Sequence, residues 1–469
     1  MKGFWNFKRC ITVKRVAFCF AALVLLALAP ASHASEGTGT YLRIGLAYGA
    51  GAPSSCEITS ANGFILAVPE GNAYREGMPL PAYAKLTVSA SGGRILLHAD
   101  GVLVSDDIGA GTCVLPHDYA SGARIFYEGV PYRGGLSFRP NPGNTFNVIN
   151  RLGVEEYLYG VVNSEMGYKN PAEALKAQAV AARSYSWLKR GAHADDGFDL
   201  CAGAHCQSYK GYSDEHAEIV AAVDATTGLM LYRDDAPVSG NYFKNSGGHT
   251  QNSEDVWSEA VPYLRGVPDE YSPPYSWGWQ ITFRELRTLL LAAGEDPGEI
   301  AVVSVSGRNA DGSVNAMTII GDRGTVVLEK NRIRTVLGAS NVKSLRFGLG
   351  GVAPAPARAP AVFALGADGA GSLASNAFVL SADETGAFDA KDAFLRGAAE
   401  SVRVSALLSA PGAAPPIEDE PATDGFVSFT GSGYGHGVGM PQDSAIEMAK
   451  QGHDFRRILT KYFTGVQVR

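Results

Sequence analysis

Basic clusters, long apolar runs and cysteine are all scarce in this 469-residue chain. Each scarcity excludes something. Only 19% of the residues are charged, and five of the 40 Lys and Arg (Lys2, Lys8, Arg9, Lys14 and Arg15) precede the first acidic residue. Without residues 1–34 the chain carries 35 Lys+Arg against 47 Asp+Glu, a formal charge of −12. Nucleic-acid binding needs clustered cations to meet phosphates, and no such cluster follows the N-terminus, so no nucleic-acid partner is expected. No internal repeat is visible. The single apolar run covers residues 16–29, so nothing later is long enough to span a bilayer.

That one run follows the five cations. It is broken by Pro30 and leads to Ser32-His33-Ala34, with small residues at the two positions that specify cleavage. This is the grammar of a secretory signal peptide over residues 1–34. A retained anchor is the alternative, but the run falls short of the ~20 apolar residues a spanning helix uses. The expectation is export across the cytoplasmic membrane, to an extracellular or wall-associated location. Six cysteines occur; Cys10 and Cys19 would leave with the leader, while Cys56, Cys113, Cys201 and Cys206 stay. In an oxidising compartment an even number suggests disulfides, with Cys56–Cys113 as one candidate staple.

Gly-rich, modestly charged composition predicts an α+β fold. Short alternating segments at 41–47, 84–89, 94–98 and 124–128 read as strands, giving a β-rich N-terminal portion over 35–145. From about residue 146 the texture becomes mixed α/β. Residues 146–150 read as a strand and 154–162 as a short helix or turn. A long helix is predicted from Pro171 to about Arg190, with Asn170 as N-cap and Glu173 in the capping-box place. Its many alanines make it thin, and Gln178, Ala182 and Tyr185 share one face. Further helices are expected at 214–226 and 281–294, strands near 229–232 and 240–244, and a hairpin turn at Asp311-Gly312. Residues 351–424 are rich in Pro and Ala and read as an insertion or linker. Residues 425–469 return to Gly-rich sequence that completes the 146–350 core.

Four segments carry chemistry-bearing residues. Asn163-Ser-Glu165-Met places a carboxylate just ahead of the long helix, as either a reactive acid or a surface Glu favoured by the helix dipole. Asn245-Ser246-Gly-Gly-His249-Thr, followed by Glu254, Asp255 and Trp257, offers the polar and aromatic groups of a sugar site, or an ordinary turn. Gly431-Ser-Gly-Tyr434-Gly-His436-Gly-Val-Gly-Met holds five glycines in nine residues, which packing alone does not explain and which reads as a functional loop. It is not a phosphate-binding loop, since no Lys-Ser/Thr follows. Finally, Cys201, His205 and Cys206, with His193 upstream, suit either tetrahedral zinc or a Cys201–Cys206 disulfide.

In this order the segments resemble the SpoIID family (stage II sporulation protein D), whose members include peptidoglycan lytic transglycosylases and LytB-type amidase enhancers. The resemblance runs through Glu156-Tyr-Leu-Tyr-Gly-Val-Val-Asn-Ser-Glu165-Met, Glu173-Ala-Leu-Lys-Ala-Gln178-Ala-Val-Ala-Ala-Arg183-Ser-Tyr185, Cys206-Gln-Ser-Tyr-Lys-Gly, Asn245-Ser-Gly-Gly-His-Thr and Gly435-His436-Gly-Val-Gly-Met. One departure is Pro441, where the family often has Ser. The resemblance implies a SpoIID-like catalytic core with Glu165 as the catalytic acid/base. It implies a glycan cleft drawing on Gln178, Arg183, Tyr185, Ser246, His249, Trp257, Tyr434 and His436. It also favours a structural zinc ion on Cys201, His205, Cys206 and His193 over the disulfide. The implied substrate is peptide-stripped peptidoglycan glycan, which brings a wall amidase in as cooperating partner. The alternatives are a non-catalytic enhancer of such an amidase, or a hydrolase pairing Glu165 with Glu254 or Asp255.

Overall fold

A computed structural model of the chain describes residues 41–350 and 421–469, apart from 72, 81, 82 and 424, together with four short strands between 362 and 403. The signal-peptide reading and most of the 351–424 segment lie outside the described residues. Among the described residues no helix is long and apolar enough to cross a membrane.

Strands dominate the first hundred described residues, as the alternating segments predict. Tyr41–Ala47, Lys85–Ser91, Arg94–Ala99 and Ile125–Tyr127 are all strands. They sort into two sheets. One has seven strands, in the order Leu200–Cys201, Tyr41–Ala47, Thr145–Gly153, Gly135–Asn141, Cys113–Pro116, Phe64–Glu70, Ala73–Leu80. The other has six, in the order Val130–Tyr132, Ile125–Tyr127, Ser55–Thr59, Lys85–Ser91, Arg94–Ala99, Val102–Ser105. The inward residues of both, among them Leu42, Ile44, Val88 and Leu97, share one core with three helices. These are α1 (Val154–Met166), α2 (Ala172–Leu188) and α3 (Ala217–Asp224).

The thin, alanine-rich α2 joins this core to a second one. Leu175, Ala179 and Ala182 face the sheets, while Ala177, Val180 and Ala181 belong to the core of the C-terminal half. That half contains α4 (Ser253–Val256), α5 (Phe283–Ala292), α6 (Arg332–Leu337), α7 (Gln442–Lys450) and α8 (Phe455–Tyr462). It also holds the hairpin of Ile300–Arg308 with Val314–Gly321, turning at the expected Asp311-Gly312, and the sheet of Ser276–Thr282, Phe426–Ser432 and Phe347–Gly350. Small side chains on α2 let the chain approach closely at Gly240, where an added Cβ would lie 2.3 Å from the Ala181 carbonyl oxygen and 2.6 Å from its Cα. Those are backbone atoms in a buried helix and cannot swing aside. Gly240→Ala is therefore expected to destabilise the protein by about 1–3 kcal/mol, read as a lower midpoint in urea with an unchanged slope.

Three local readings are corrected. Asn170 does not cap α2, which is entered through Pro171; its amide instead donates to the Met166 carbonyl at 2.6 Å and the Gly167 carbonyl at 3.2 Å, closing the C-terminus of α1. Glu173 forms no capping box. It pairs with Lys176 and accepts the Phe455 N–H at 2.9 Å, tying α2 to the start of α8. Cys56 and Cys113 are free thiols rather than a disulfide. Cys56 is buried in the core shared by the two sheets, whereas Cys113 packs with Ile65, Ala67 and Leu115 in a separate cluster, its sulfur 4.0 Å from the Tyr74 hydroxyl.

Candidate functional site

Glu165 stands in the last turn of α1 rather than in a loop ahead of α2. Tyr157, Leu158, Val161 and Val162 make a buried stripe at helical spacing, and the helix runs on past the predicted end at Val162 to Met166. It stops at Gly167 (φ 81°), whose N–H closes on Asn163 O at 2.8 Å. The Glu165 carboxylate accepts the Ser208 N–H at 3.0 Å and is flanked by the phenol of Tyr242 and the side-chain amide of Gln442. Burial pushes its pKa up, and those three neutral donors counter only part of the rise. The C-terminal end of a helix, being negative, acts in the same direction as burial. No acidic side chain appears among the groups acting on it.

Behind the carboxylate runs a chain of neutral hydrogen bonds. Gln207 Nε2 donates to the Tyr242 hydroxyl at 3.0 Å, and Gln207 Oε1 accepts from Ser186 at 2.6 Å and from Tyr157 at 3.4 Å. Tyr242 lies on the two-residue strand Tyr242–Phe243, which pairs in parallel with Met440–Pro441. That pairing delivers Gln442, the first residue of α7, to the site. Pro441 fits here because it precedes α7 as its N-cap and has no N–H to leave unpaired. Its Gln442 neighbour keeps a buried Nε2 that closes no hydrogen bond of good geometry among the described residues.

The glycine strip wraps this strand pair. Gly435 (φ 121°) and Gly439 (φ 85°) adopt backbone that favours glycine, and an added Cβ would meet Phe243 at 2.7 Å and the Asn241 carbonyl oxygen at 2.2 Å. Packing thus does account for these glycines, contrary to the expectation from sequence. Between them His436 accepts the Val438 N–H on Nδ1 at 3.1 Å and contacts the Tyr242 backbone. Burial and then the charge of Arg334 push its pKa down to about 4, so the ring is neutral near pH 7. Its faces meet Phe243 (5.4 Å between ring centres) and Trp257 (5.2 Å).

The other residues expected in the cleft divide. Tyr185 is half-buried beside Tyr242, with ring centres 6.4 Å apart. Tyr434 lies against Tyr275 at 5.9 Å. Gln178 is fully buried on α2, and neither end of its amide finds a partner among the described residues. Arg183 is not a cleft residue: it is 2% exposed, forks onto Glu155 at 2.5 and 2.9 Å and donates to Leu229 O. Ser246 is likewise buried, donating to Asp269, which also accepts from Ser444 and Tyr462 and so fastens this loop to α7 and α8. His249 closes on its neighbour's carbonyl, Thr250 O, at 2.6 Å. Glu254 is held by Arg265 at 2.5–2.6 Å, which drops its pKa to about 2 and fixes it as an anion. Asp255 accepts from Asn252 at 2.8 Å. Tyr242, Gln207, Ser208 and Gln442 were missed as site residues. Gln207 and Ser208 fall inside a quoted motif, and Gln442 lies two residues past the glycine strip.

The segment that carries Gln207 and Ser208 begins in a Cys/His cluster. Cys201 and Cys206 are free thiols, and one donor atom from each of His193, Cys201, His205 and Cys206 lies within 4.8 Å of the others. Cys206 Sγ is 3.5 Å from His193 Nε2 and 3.5 Å from His205 Nδ1, and Cys201 Sγ is 3.8 Å from His205 Nδ1. Tetrahedral zinc at ordinary Zn–S and Zn–N lengths sets S···N separations of about 3.6 Å, so the donor set fits that ion. His193 turns its other ring nitrogen toward Asp196 at 3.5 Å, the outer contact that orients a metal-binding imidazole.

Comparison with known proteins places this arrangement. Residues 142–232, which contain Glu165 and the Cys/His cluster but not Tyr242, Trp257, His436 or Gln442, match the sequence profile of SpoIID, stage II sporulation protein. An uncharacterised protein of Brachyspira hyodysenteriae is 27% identical over 73% of this chain and 73% of its own length. Stage II sporulation protein D of Bacillus amyloliquefaciens is 26% identical over 68% of this chain and 75% of its own. The amidase enhancer of Bacillus subtilis is 31% identical over 37% of this chain, a stretch that is 24% of that longer protein. With the matched profile carrying the candidate acid and these relatives around it, residues 142–232 form a SpoIID domain, and the chain is similar to SpoIID and LytB-type proteins.

Proposed function

We propose that the protein is an exported lytic transglycosylase that cleaves the glycan backbone of peptide-stripped peptidoglycan, with Glu165 as its single general acid/base. The observation that supports this best is the carboxyl itself. It is half-buried, raised in pKa, and surrounded by neutral donors, while Glu254, one of the two acids considered as a second carboxylate, is locked as an anion on Arg265. An ordinary hydrolase uses two carboxyl groups. One suffices if the attacking group belongs to the substrate. Protonated Glu165 gives its proton to the glycosidic oxygen as the bond from that oxygen to the muramoyl C1 breaks. The C6 hydroxyl of the same muramoyl residue then bonds to C1 and returns its proton to Glu165. No water is consumed, the product ends in a 1,6-anhydro sugar, and the enzyme recovers its starting state. Tyr242, Gln442 and the Ser208 N–H would steady the carboxylate between the two transfers.

In this reading His193, Cys201, His205 and Cys206 hold a zinc ion that cross-links the chain and takes no part in the reaction, as Cys-rich sites with four protein ligands do. The likeness to an amidase enhancer supports a second reading, in which the protein binds glycan or an amidase without cutting. Mass spectrometry of amidase-treated glycan strands separates the readings. Anhydro-ended fragments from wild type but not from Glu165→Gln support the transglycosylase; reducing ends indicate hydrolysis; intact strands that remain bound indicate the enhancer.

Tyr242→Phe gives a finer check. It removes one donor to the carboxylate, which costs the ionised form about 1 kcal/mol and leaves burial less opposed. The alkaline limb of the pH–rate profile should move to higher pH in the variant. An unmoved limb would mean that the phenol does not act on Glu165.

A further inference from the structure

Gln207 is 1% exposed and follows the candidate metal ligand Cys206 directly. Its side-chain amide is clamped between two helices. Oε1 accepts from the Ser186 hydroxyl of α2 at 2.6 Å and from the Tyr157 hydroxyl of α1 at 3.4 Å. Nε2 faces the Ala182 carbonyl of α2 at 3.4 Å and donates to the Tyr242 hydroxyl at 3.0 Å. These contacts fix which end of the amide is which. A carbonyl oxygen only accepts, so the end that faces Ala182 is the N–H end. A separation of 2.6 Å suits O–H···O and is short for N–H···O, so the end that faces Ser186 is the oxygen. Turned over, the amide would set its oxygen against the Ala182 carbonyl and crowd its nitrogen onto Ser186.

That orientation sets the direction of the next hydrogen bond. A phenol has one proton, and an oxygen that already receives the Gln207 N–H has its own proton free to give elsewhere. Burial pushes the Tyr242 pKa up, so the group is a neutral donor. The acceptor it meets is the Glu165 carboxylate. Hydrogen bonds in a chain polarise one another, so donation from Ser186 to Gln207 and from Gln207 to Tyr242 strengthens the last step, from Tyr242 to Glu165. An amide turned the other way would present an acceptor to Tyr242 and compete with Glu165 for the same proton. The clamp on Oε1 and Nε2 prevents this.

We propose that Gln207 is a positioning residue: it aims the Tyr242 proton at Glu165 and so sets the acidity of that carboxyl. Gln207 acts through Tyr242 and is not itself a catalytic residue. Its bearing on catalysis rests on the glycan-cleaving reading above, in which Glu165 gives up one proton and takes back another. A donor held on the ionised form lowers the pKa that burial raises, and so keeps the group able to do both.

The test follows the Glu165 carboxyl by carbon NMR in protein labelled at its glutamate side-chain carboxyls, the signal being identified by its loss in Glu165→Gln. No substrate is present, so the measurement does not depend on cleavage. Gln207→Met keeps the length of the side chain and removes the donor. The midpoint of the Glu165 titration should move to higher pH, by no more than it moves in Tyr242→Phe. In the double variant it should stay where Tyr242→Phe alone puts it, because the chain is already cut. Ser186→Ala keeps Gln207 but frees its amide to turn, and should move the midpoint the same way by less; it decides the matter if Gln207→Met does not fold. A midpoint unmoved in Tyr242→Phe, in a folded Gln207→Met or, failing that variant, in Ser186→Ala would overturn the assignment. So would an equal shift from Gln207→Met with and without the Tyr242 hydroxyl, since Gln207 would then only prop its loop. If the midpoints move as expected and wild type leaves glycan strands uncut, the glycan-cleaving reading falls and the aiming of the Tyr242 proton stands.

Discussion

Glu165→Gln is expected to lower cleavage of peptide-free glycan by about a thousandfold, in the middle of the range for loss of a general acid–base group, while the protein remains folded. The amide keeps the shape and can still accept the Ser208 N–H, so a loss of this size would report the missing proton rather than a disturbed site. The same variant makes a stability prediction of opposite sign. Burial raises the folded pKa of Glu165 above its ordinary 4.5. Well below that value the carboxyl is protonated in both states and no charge is buried. As pH rises through the unfolded value toward the folded one, the unfolded chain loses its proton first, and wild-type stability declines. Above the folded value the deficit is constant. Glu165→Gln should therefore melt above wild type at about pH 7 and converge with it at about pH 4 or below. A variant that is inactive but no more stable at neutral pH would argue that the carboxylate is not held in a desolvated place.

Loss of the metal is expected to have the second largest effect. The purified protein should carry one zinc per chain, and Cys206→Ser should lose most of it, together with about 10–100-fold of the activity. The reason is geometric. His193 follows α2, Cys201 lies on the strand paired with Tyr41–Ala47, and Cys206 is immediately followed by Gln207 and Ser208. A metal on these ligands would fix the segment that brings the Ser208 N–H to Glu165 and the Gln207 amide to Tyr242. A chelator should lower the melting temperature, and added zinc should restore it. If reductant alone inactivates the protein while a chelator does nothing, the pair works as a disulfide instead.

How far the sequence reaches is set by distance along the chain. The strands of the N-terminal portion, the helix through Gln178 and the hairpin at Asp311-Gly312 were legible because they rest on alternation, on an alanine-rich run opened by Pro171 and on turn chemistry, each within a few residues. The Cys/His cluster was legible because its ligands lie close together in sequence. Glu165 itself was named from a motif, but its setting was not. The helix α1 runs on through it to Met166, and Asn170 was spent closing that helix instead of opening the next.

Tertiary structure alone decided the rest. Tyr242 and Gln442 reach Glu165 only because two short strands pair in parallel across a glycine strip shaped by close approach. Arg183 and Ser246, polar residues within their motifs, are absorbed by Glu155 and Asp269, partners that no local pattern announces. Cys56 and Cys113 stay apart because two different hydrophobic clusters claim them. The sequence by itself determined the local elements, the candidate acid and the candidate metal ligands, since short-range sterics and hydrogen bonding govern them. Which side chains surround that acid follows from packing α2 between two cores, and that is a property of the whole folded chain.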